Sequence, residues 1–341
     1  MINSRSIIKK IEAAGLVGRG GASYSTAQKW AVVKAALKNK KSGYIILNGA
    51  EGEPGVKKDG YIINHYPAEV IAGLYLADQF LGTAKIKKVY IFLNQEYYKK
   101  YSAGLKVILE RPKYKFLEAK TEFFVKPERL AYISGEESAL LNLIEGKKVE
   151  PRLKPPFPAE SGLYDQPTLI NNTETFYNLS LAVKNKYRDT RFYTIDGAVK
   201  HSGVYNLAAN LTIEAVLRQT NNWPTSLFFV QAGGAASGEV LNSHQLERPV
   251  EGAGSIRVYD LSSTVGKKLF QSWIKFYQEQ SCGKCTACRE GTYRLAELVS
   301  SPTYDDGLFW EIVDNLADSS FCALGSSLPE ALRSYVNNLK K

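Results

Sequence analysis

The four cysteines of this chain all fall between positions 282 and 322 of its 341 residues. Three form a C-x2-C-x2-C run, Cys282-Gly283-Lys284-Cys285-Thr286-Ala287-Cys288, and Cys322 follows 34 positions after Cys288. Four thiolates are what a [4Fe-4S] cluster requires, and three at this spacing wrap one face of the cube. Zinc is the competing metal, but structural zinc sites present two separated Cys or His pairs, which leaves Cys285 awkwardly placed. A disulfide framework is disfavoured, because residues Met1 to Leu16 carry Arg5, Lys9 and Lys10 without the apolar segment or cleavage site of a secretory signal. Lys284 and Arg289 are either ordinary solvated charges or a partial offset to a cluster's negative charge. Helical periodicity in Val265–Tyr277, Glu290–Val299, Gly307–Ala317 and Pro329–Leu339 predicts a small helical bundle holding every cysteine.

Upstream, apolar runs alternate in period. Helices are expected over Arg5–Ala14, Ala27–Leu37, Ala68–Phe80 and Tyr97–Leu109, with buried strands at Tyr44–Leu47 and Lys88–Leu93. That alternation argues for a parallel or mixed sheet with helices packed on it. Between Glu150 and Pro167 five prolines predict an extended, non-helical loop, long enough to be functional. A helix near Glu174–Lys184 closes this part. Short β-like runs at Phe192–Ile195, Gly203–Leu207, Leu227–Gln231 and Ile256–Tyr259, around a helix at Ile213–Gln219, fit a small α+β module. The domain expectation is therefore 1–187, 188–262 and 263–341. No apolar run reaches the roughly 20 residues of a membrane-spanning helix, so the chain is expected in the cytoplasm.

The net charge of +10 suits phosphorylated ligands or an acidic partner, and equally an ordinary lysine-rich surface. No zinc-finger, RNP-type or basic-zipper pattern accompanies it, so nucleic acid is not expected as a partner. Gly18-Arg19-Gly20-Gly21-Ala22-Ser23 is not a dinucleotide fingerprint: a helix precedes it, and Ser23 stands in place of the third glycine. Its backbone N–H groups, with Arg19 and Lys29, nevertheless suit a phosphate at a helix start. Glu51-Gly52-Glu53-Pro54-Gly55 follows the strand at Tyr44–Leu47 and places two carboxylates where α/β sheets bind ligands; a Pro-Gly turn with solvated acids explains the segment equally well. Gly135-Glu136-Glu137 opens a helix, where acids favour the dipole anyway, and Asn171-Asn172-Thr173 reads as a ligand-facing turn or as a cap. His65, His201 and His244 are scattered and form no ligand set.

Taken together, these segments resemble the NADH-binding flavoprotein subunit of respiratory complex I and its relatives in soluble NAD-linked hydrogenases and formate dehydrogenases. The resemblance rests on Gly18–Ala22, Glu51–Gly55, Tyr132–Glu137, Pro151–Pro158, Ile170–Thr175, Glu279–Gly291 and Phe321–Gly325, in the family's order along nearly the whole chain. It implies a Rossmann-like α/β FMN and NADH domain, a ubiquitin-like β-grasp (α+β) domain and a C-terminal helical bundle carrying the [4Fe-4S] cluster. By that resemblance Arg19, Gly20, Gly21, Ala22, Lys29, Asn48, Glu51, Tyr132, Gly135, Glu136, Asn171, Asn172 and Thr173 would hold FMN. Glu53 would meet the nicotinamide amide, Tyr24 and Phe157 would stack on the adenine, and Glu137 and Lys154 would lie near the ribose. Cys282, Cys285, Cys288 and Cys322 would bind the cluster. NADH would give a hydride to FMN with no general acid or base from the protein. The implied partners are a thioredoxin-like [2Fe-2S] subunit and a larger Fe-S, hydrogenase or formate dehydrogenase subunit, with membrane contact only indirect, on the inner face, through such a complex.

The chain departs from the family pattern at Ala50 (an Asp in relatives), Val32 (an adenine-stacking aromatic), Ser25 (a proline), Ser23 (a glycine) and Gly60 (an arginine). The Cys288–Cys322 interval is shorter than usual, which implies a trimmed bundle helix. Two other readings therefore accompany the complex I-like one. In the first, the chain is the diaphorase subunit of a soluble hydrogenase or formate dehydrogenase, including an electron-bifurcating one. In the second, it is an Fe-S relay or scaffold subunit that no longer uses NADH.

Overall fold

Side chains that satisfy free backbone N–H groups set where the first helices begin. Asn3 accepts from the Arg5 amide ahead of α1 (Ser4–Ala13), and Ser25 accepts from the Gln28 amide ahead of α2 (Thr26–Ala36). There follow β1 (Gly43–Gly49), α3 (Lys58–His65), α4 (Pro67–Leu81), β2 (Ile86–Leu93), α5 (Gln95–Leu109), the single turn α6 (Lys115–Glu118), β3 (Thr121–Val125), α7 (Glu137–Ile144), β4 (Thr168–Asn172) and α8 (Thr173–Val183). The computed structural model describes residues 3–129, 132–261, 266–303 and 305–339. The chain divides into two units, residues 1–52 with 57–189, and residues 53–56 with 190–341.

The first unit is built on a wholly parallel sheet in the order β3-β2-β1-β4. β1 is buried along nearly its whole length, as a strand covered on both faces must be. Tyr44 and Ile46 share a core with Leu140 and Leu141 of α7 and with Leu163. Ile45 and Leu47 alternate onto the other face, which α4 and α8 cover. α4 approaches α8 so closely that a Cβ on Gly73 would stand 2.0 Å from the Phe176 carbonyl oxygen; only glycine fits there. In this strand order β1 leads on to β2 at one side, while β4 joins at the other. The carboxyl ends of β1 and β4 thus flank a topological switch point, where open α/β sheets bind their ligands.

The second unit contains β5 (Thr190–Gly197), β6 (Gly203–Ala208), α9 (Ile213–Gln219), β7 (Phe228–Ala232), β8 (Glu239–Asn242), β9 (Ser255–Asp260), α10 (Gly266–Gln280), α11 (Thr286–Ser300), α12 (Asp306–Ser319) and α13 (Ala323–Leu339). Its five strands run β6-β5-β9-β7-β8, with β5 and β9 parallel and the other neighbours antiparallel. Ile213, Val216 and Leu217 of α9 share a core with Tyr193, Ile195, Val230 and Val258. α10 packs on α11 and α13, α11 on α12, and α12 on α13, so these four helices close a ring. Trp273 Nε1 donates to the Ala235 carbonyl at 3.0 Å and the Val240 amide to Ser334 Oγ at 2.9 Å, joining ring and sheet.

Five elements fall outside the sequence expectation: α3, the single turn α6, β3, β4 and β8. Pro329, read as a helix start, instead lies inside α13, because buried Leu324 and Leu328 carry the helix through the residues before it. The expected helix start at Val265 lies outside the described residues.

Candidate functional site

At the carboxyl end of β1 the Asn48 amide donates to the Gly135 carbonyl at 2.8 Å, and Asn172, ending β4, donates to the Asn48 carbonyl at 3.3 Å. Asn172 is also the N-cap of α8, accepting from the Glu174 amide at 3.0 Å. The glycine-rich loop rests on that same helix start. The Arg19 amide donates to Thr175 Oγ1 at 3.0 Å, and a Cβ on Gly20 would come within 3.4 Å of Asn172 Cβ. A bond from the Gly18 amide to the Tyr24 carbonyl (2.8 Å) pinches the loop at its base and leaves Gly20 to Tyr24 exposed. Gly21 has φ +114°, and at both Gly21 and Gly135 a Cβ would stand in open space. Thr173 Oγ1 is buried here with no hydrogen-bond partner among the described residues. Backbone N–H groups, a helix N-terminus and unfilled space thus converge at the switch point, which suits a phosphorylated ligand.

Not every expected ligand faces that space. The Arg19 guanidinium reaches the Tyr187 hydroxyl (3.4 Å) and the Asp189 carboxylate (3.5 Å). Asn171 is buried. With its amide oriented to suit its neighbours, its oxygen accepts from Trp30 Nε1 and its nitrogen donates to the Ile170 carbonyl, both at 2.9 Å. Glu53 belongs to the second unit. Its Oε1 accepts from the Ala236 amide (3.0 Å), the Ser237 amide (3.2 Å) and the Ser237 hydroxyl (3.2 Å).

Glu51 lies at the centre of a polar network that nothing local in the sequence advertises. Its carboxylate accepts from the Asp59 amide (3.0 and 3.2 Å), the Gly60 amide (3.5 Å) and the Tyr97 hydroxyl (2.5 Å). Lys126 Nζ and Asn94 Nδ2 donate to its carbonyl at 3.3 and 3.5 Å. Alongside, buried Lys58 contacts Asp59 (2.8 Å), Glu174 (3.2 Å) and Asn172 Oδ1 (3.0 Å), while Asn172 Nδ2 donates to Asp59 at 2.6 Å. Burial and the Asp59 carboxylate push the Glu51 carboxyl up to about 7, against the opposing pull of Lys58 and the bonds from Tyr97 and the Asp59 amide. Burial lowers the Lys126 ammonium to about 8, with Glu51 opposing. For Lys58 burial acts downward, but Asp59 and Glu174 outweigh it and hold the ammonium above its ordinary value.

A second charged group borders the site. Lys29 reaches Glu137 (3.2 Å) and the Ile170 carbonyl (3.3 Å), and Lys154 bridges Glu136 (2.8 Å) and Glu137 (3.6 Å). Glu136 Oε2 caps α7 through the Ser138 and Ala139 amides at 2.9 and 2.8 Å. Burial works against the charge on Glu136, yet Lys154, Ser138 and the Ala139 amide hold its carboxyl below the usual range. Tyr132 lies immediately before the Ile133–Gly135 turn, and Tyr24 and Phe157 each leave half their surface exposed. The departures have local explanations too. Ala50 is buried in the core around Tyr44 and Ile46, Ser25 caps α2, and Ser23 takes the left-handed φ of +49°. Val32 is exposed on α2.

In the second unit the thiols gather where two helices begin. Cys285 is the N-cap of α11, Cys288 lies buried in its first turn, and Cys322 immediately precedes α13. The Phe321 amide donates to Cys285 Sγ at 3.5 Å, joining the Cys322 segment to the C-x2-C loop. Cys288 Sγ contacts Ser281 Oγ at 3.3 Å. Burial raises the Cys288 thiol to about 11, and repulsion from Cys285, Cys322 and Cys282 adds to the rise, so each of the other three thiols is within electrostatic reach of Cys288. All four are free of disulfides. Among the described residues no three His, Cys, Asp or Glu side chains close up as they would around a single metal ion. Four cysteines at two positive helix ends, with Lys284 and Arg289 nearby, are a donor set that fits an anionic iron-sulfur cube. Lys284 lies over the Phe321 ring at 4.5 Å, and Arg289 binds the Gly283 carbonyl and Glu290.

A parallel-sheet unit with a phosphate cradle at its switch point, followed in the same chain by a four-thiol helical site, defines a flavin- and iron-sulfur-binding electron-transfer protein. Comparison with known proteins gives the family. Residues 11–181 match the Nuo51 FMN-binding domain, and residues 268–341 match the NADH-ubiquinone oxidoreductase-F iron-sulfur binding region. The chain belongs to the family of NADH-quinone oxidoreductase F subunits. It is 30% identical to the NADH-quinone oxidoreductase F subunit of Aquifex aeolicus, over 97% of this chain and 84% of that protein. It is 31% identical to the second such F subunit of Rhizobium meliloti, over 98% and 87%. Its fold is similar to that of a chain of NAD+-reducing [NiFe]-hydrogenase in the H2-reduced and air-oxidised states, with a TM-score of 0.88 and 26% identity. The match covers 99% of this chain and 62% of the hydrogenase chain. Among the described residues no helix is long and apolar enough to cross a membrane.

Proposed function

We infer that the chain is the NADH-oxidising flavoprotein subunit of a complex I-like assembly, with FMN at the switch point of its parallel sheet and a [4Fe-4S] cluster on Cys282, Cys285, Cys288 and Cys322. The observation that carries this reading is the meeting of the glycine-rich loop, Asn48, Gly135 and the Asn172-capped start of α8 around unfilled space. Bound FMN supplies the chemistry of accepting a hydride from NADH and releasing its electrons singly. The protein's part is to hold and orient. The loop Arg19–Ala22 and the α8 N-terminus would receive the phosphate, with Asn48, Gly135 and Thr173 along the chain of the ligand. Tyr24 and Phe157 would take the adenine between exposed faces, with Glu137 and Lys154 at the ribose.

By the same reading, 1–187 forms the FMN and NADH domain, 188–262 a β-grasp domain and 263–341 the cluster-bearing bundle. The expected partners are a thioredoxin-like [2Fe-2S] subunit and a larger Fe-S subunit, in the cytoplasm or at a membrane only through them. The likeness to NAD+-reducing hydrogenase supports a second reading, a diaphorase subunit of a soluble hydrogenase; identifying the subunits that co-purify with the chain separates the two. The test of the main reading is an absorption spectrum of the purified protein with an NADH–ferricyanide assay. Bound flavin bleached by NADH is expected; a brown protein without flavin would instead indicate the Fe-S relay.

A further inference from the structure

Gly60 and Tyr97 form a lock-and-key pair. A Cβ on Gly60 would lie 2.5 Å from Tyr97 Cζ, 2.6 Å from Cε1 and 2.9 Å from the hydroxyl, so any side chain at position 60 displaces the phenol. The space that Gly60 leaves lets the Tyr97 hydroxyl reach Glu51 Oε2 at 2.5 Å. Tyr97 is itself fixed, since Asn94 caps α5 by accepting from the Tyr97 amide at 2.8 Å. We propose that Tyr97 is the positioning residue of Glu51: admitted by Gly60, its hydroxyl fixes the carboxyl beside the flavin site and makes FMN binding proton-linked. The proposal rests on the flavin reading above.

The groups facing Glu51 come from every neighbouring element: Lys58 and Asp59 on α3, Tyr97 on α5, Lys126 after β3, and Glu174 on α8 through Lys58. Three carboxylates (Glu51, Asp59, Glu174) thus face two ammonium groups (Lys58, Lys126). The set is neutral when Glu51 carries a proton and singly negative when it does not. An anionic flavin phosphate nearby favours the neutral form. FMN therefore binds more tightly below the Glu51 titration, which lies at about 7, and more weakly above it. A hydroxyl donor stabilises the ionised carboxylate, so its removal moves the titration to higher pH.

The full-length chain is the material for the test, with two readouts against pH: the FMN dissociation constant by flavin fluorescence, and the thermal midpoint without added FMN. For a carboxyl raised above its unfolded value, stability is full below the unfolded pKa, falls as pH rises between that value and the folded one, and is flat above it. The wild-type midpoint should fall between about pH 4.3 and 7, and FMN should bind several-fold less tightly above that range. Tyr97→Phe should carry both inflections upward by about one pH unit. Gly60→Ala should do the same by displacing the phenol, the double variant should shift no further, and Glu51→Gln should abolish the thermal inflection. The flavin phosphate's own titration is common to all variants and cancels in the comparison. Unchanged inflections in Tyr97→Phe would overturn the proposal. A shifted thermal inflection in a protein that binds no FMN at any pH would support the Tyr97–Glu51 coupling while refuting the flavin reading and the link to FMN.

Discussion

Lys58 has two carboxylates and an amide oxygen within 3.2 Å, and only 3% of its surface remains exposed. An ammonium so placed is held by its partners, and those partners are held by it. Truncating one side of such a group leaves the other side charged and dry, which costs about 3–5 kcal/mol. Lys58→Met is therefore expected to lower unfolding stability by that amount in urea titrations at neutral pH. Cys322 poses the opposite case, a residue whose own packing matters little beside the ligand role proposed for it. Cys322→Ser removes the one thiol that comes from outside the C-x2-C-x2-C run. The expected outcome is loss of the brown absorption band and most of the bound iron, with the far-UV circular dichroism of the helices largely kept; iron analysis and visible spectroscopy read it. Of these two residues only the cysteine is legible from sequence. Its spacing is a local pattern, whereas the partners of Lys58 come from positions 59, 172 and 174 and meet only through the fold.

The same division between local and tertiary signals separates the elements. α4 and α5 stand out because their apolar positions recur at helical spacing over 15 residues each. β1 stands out because a continuous apolar run of strand length has few other uses. α3 does not: eight residues long, it follows a Pro-Gly turn and contains Gly60, whose low helix propensity tertiary packing against Tyr97 overrides. β3 and β8 are short edge strands, and β4 offers only Leu169 and Ile170 as apolar signal before its two asparagines. Without β3 and β4 the order of the sheet, and with it the switch point, is not available from sequence. The cradle's glycines are legible as a motif, but their position over α8 is not. Helix packing supplies a sharp test at this scale. Gly73→Ala drives a methyl group to 2.0 Å from the Phe176 carbonyl oxygen, which is backbone of α8 and cannot rotate away. Separation of α4 from α8 should cost about 1–3 kcal/mol, seen as a lower urea midpoint. Because α8 begins at the proposed FMN cradle, flavin affinity should fall with it.

On the scale of the whole chain, the proposed flavin and cluster sites draw on different units: the proposed phosphate cradle uses residues 18–24, 48, 135 and 172–175, and the proposed thiol site residues 281–325. Each unit has its own sheet and its own apolar core. Binding free energy for a metal centre is folding free energy for the segment that supplies its ligands. In the second unit that segment consists of two loops, each directly before a helix of the closed ring α10 to α13, so loss of the cluster releases the starts of α11 and α13 first. Oxidative removal of iron with a chelator is therefore expected to lower the thermal midpoint of the helical part and to speed amide exchange at residues 282–292 and 321–328. The FMN dissociation constant should stay within about twofold, a change under 0.5 kcal/mol of binding free energy. Hydrogen exchange followed by mass spectrometry, with flavin fluorescence on the same sample, reads both quantities. A large loss of flavin affinity on removing iron would mean that the two sites are coupled, contrary to the expectation that each unit holds its ligand with its own residues.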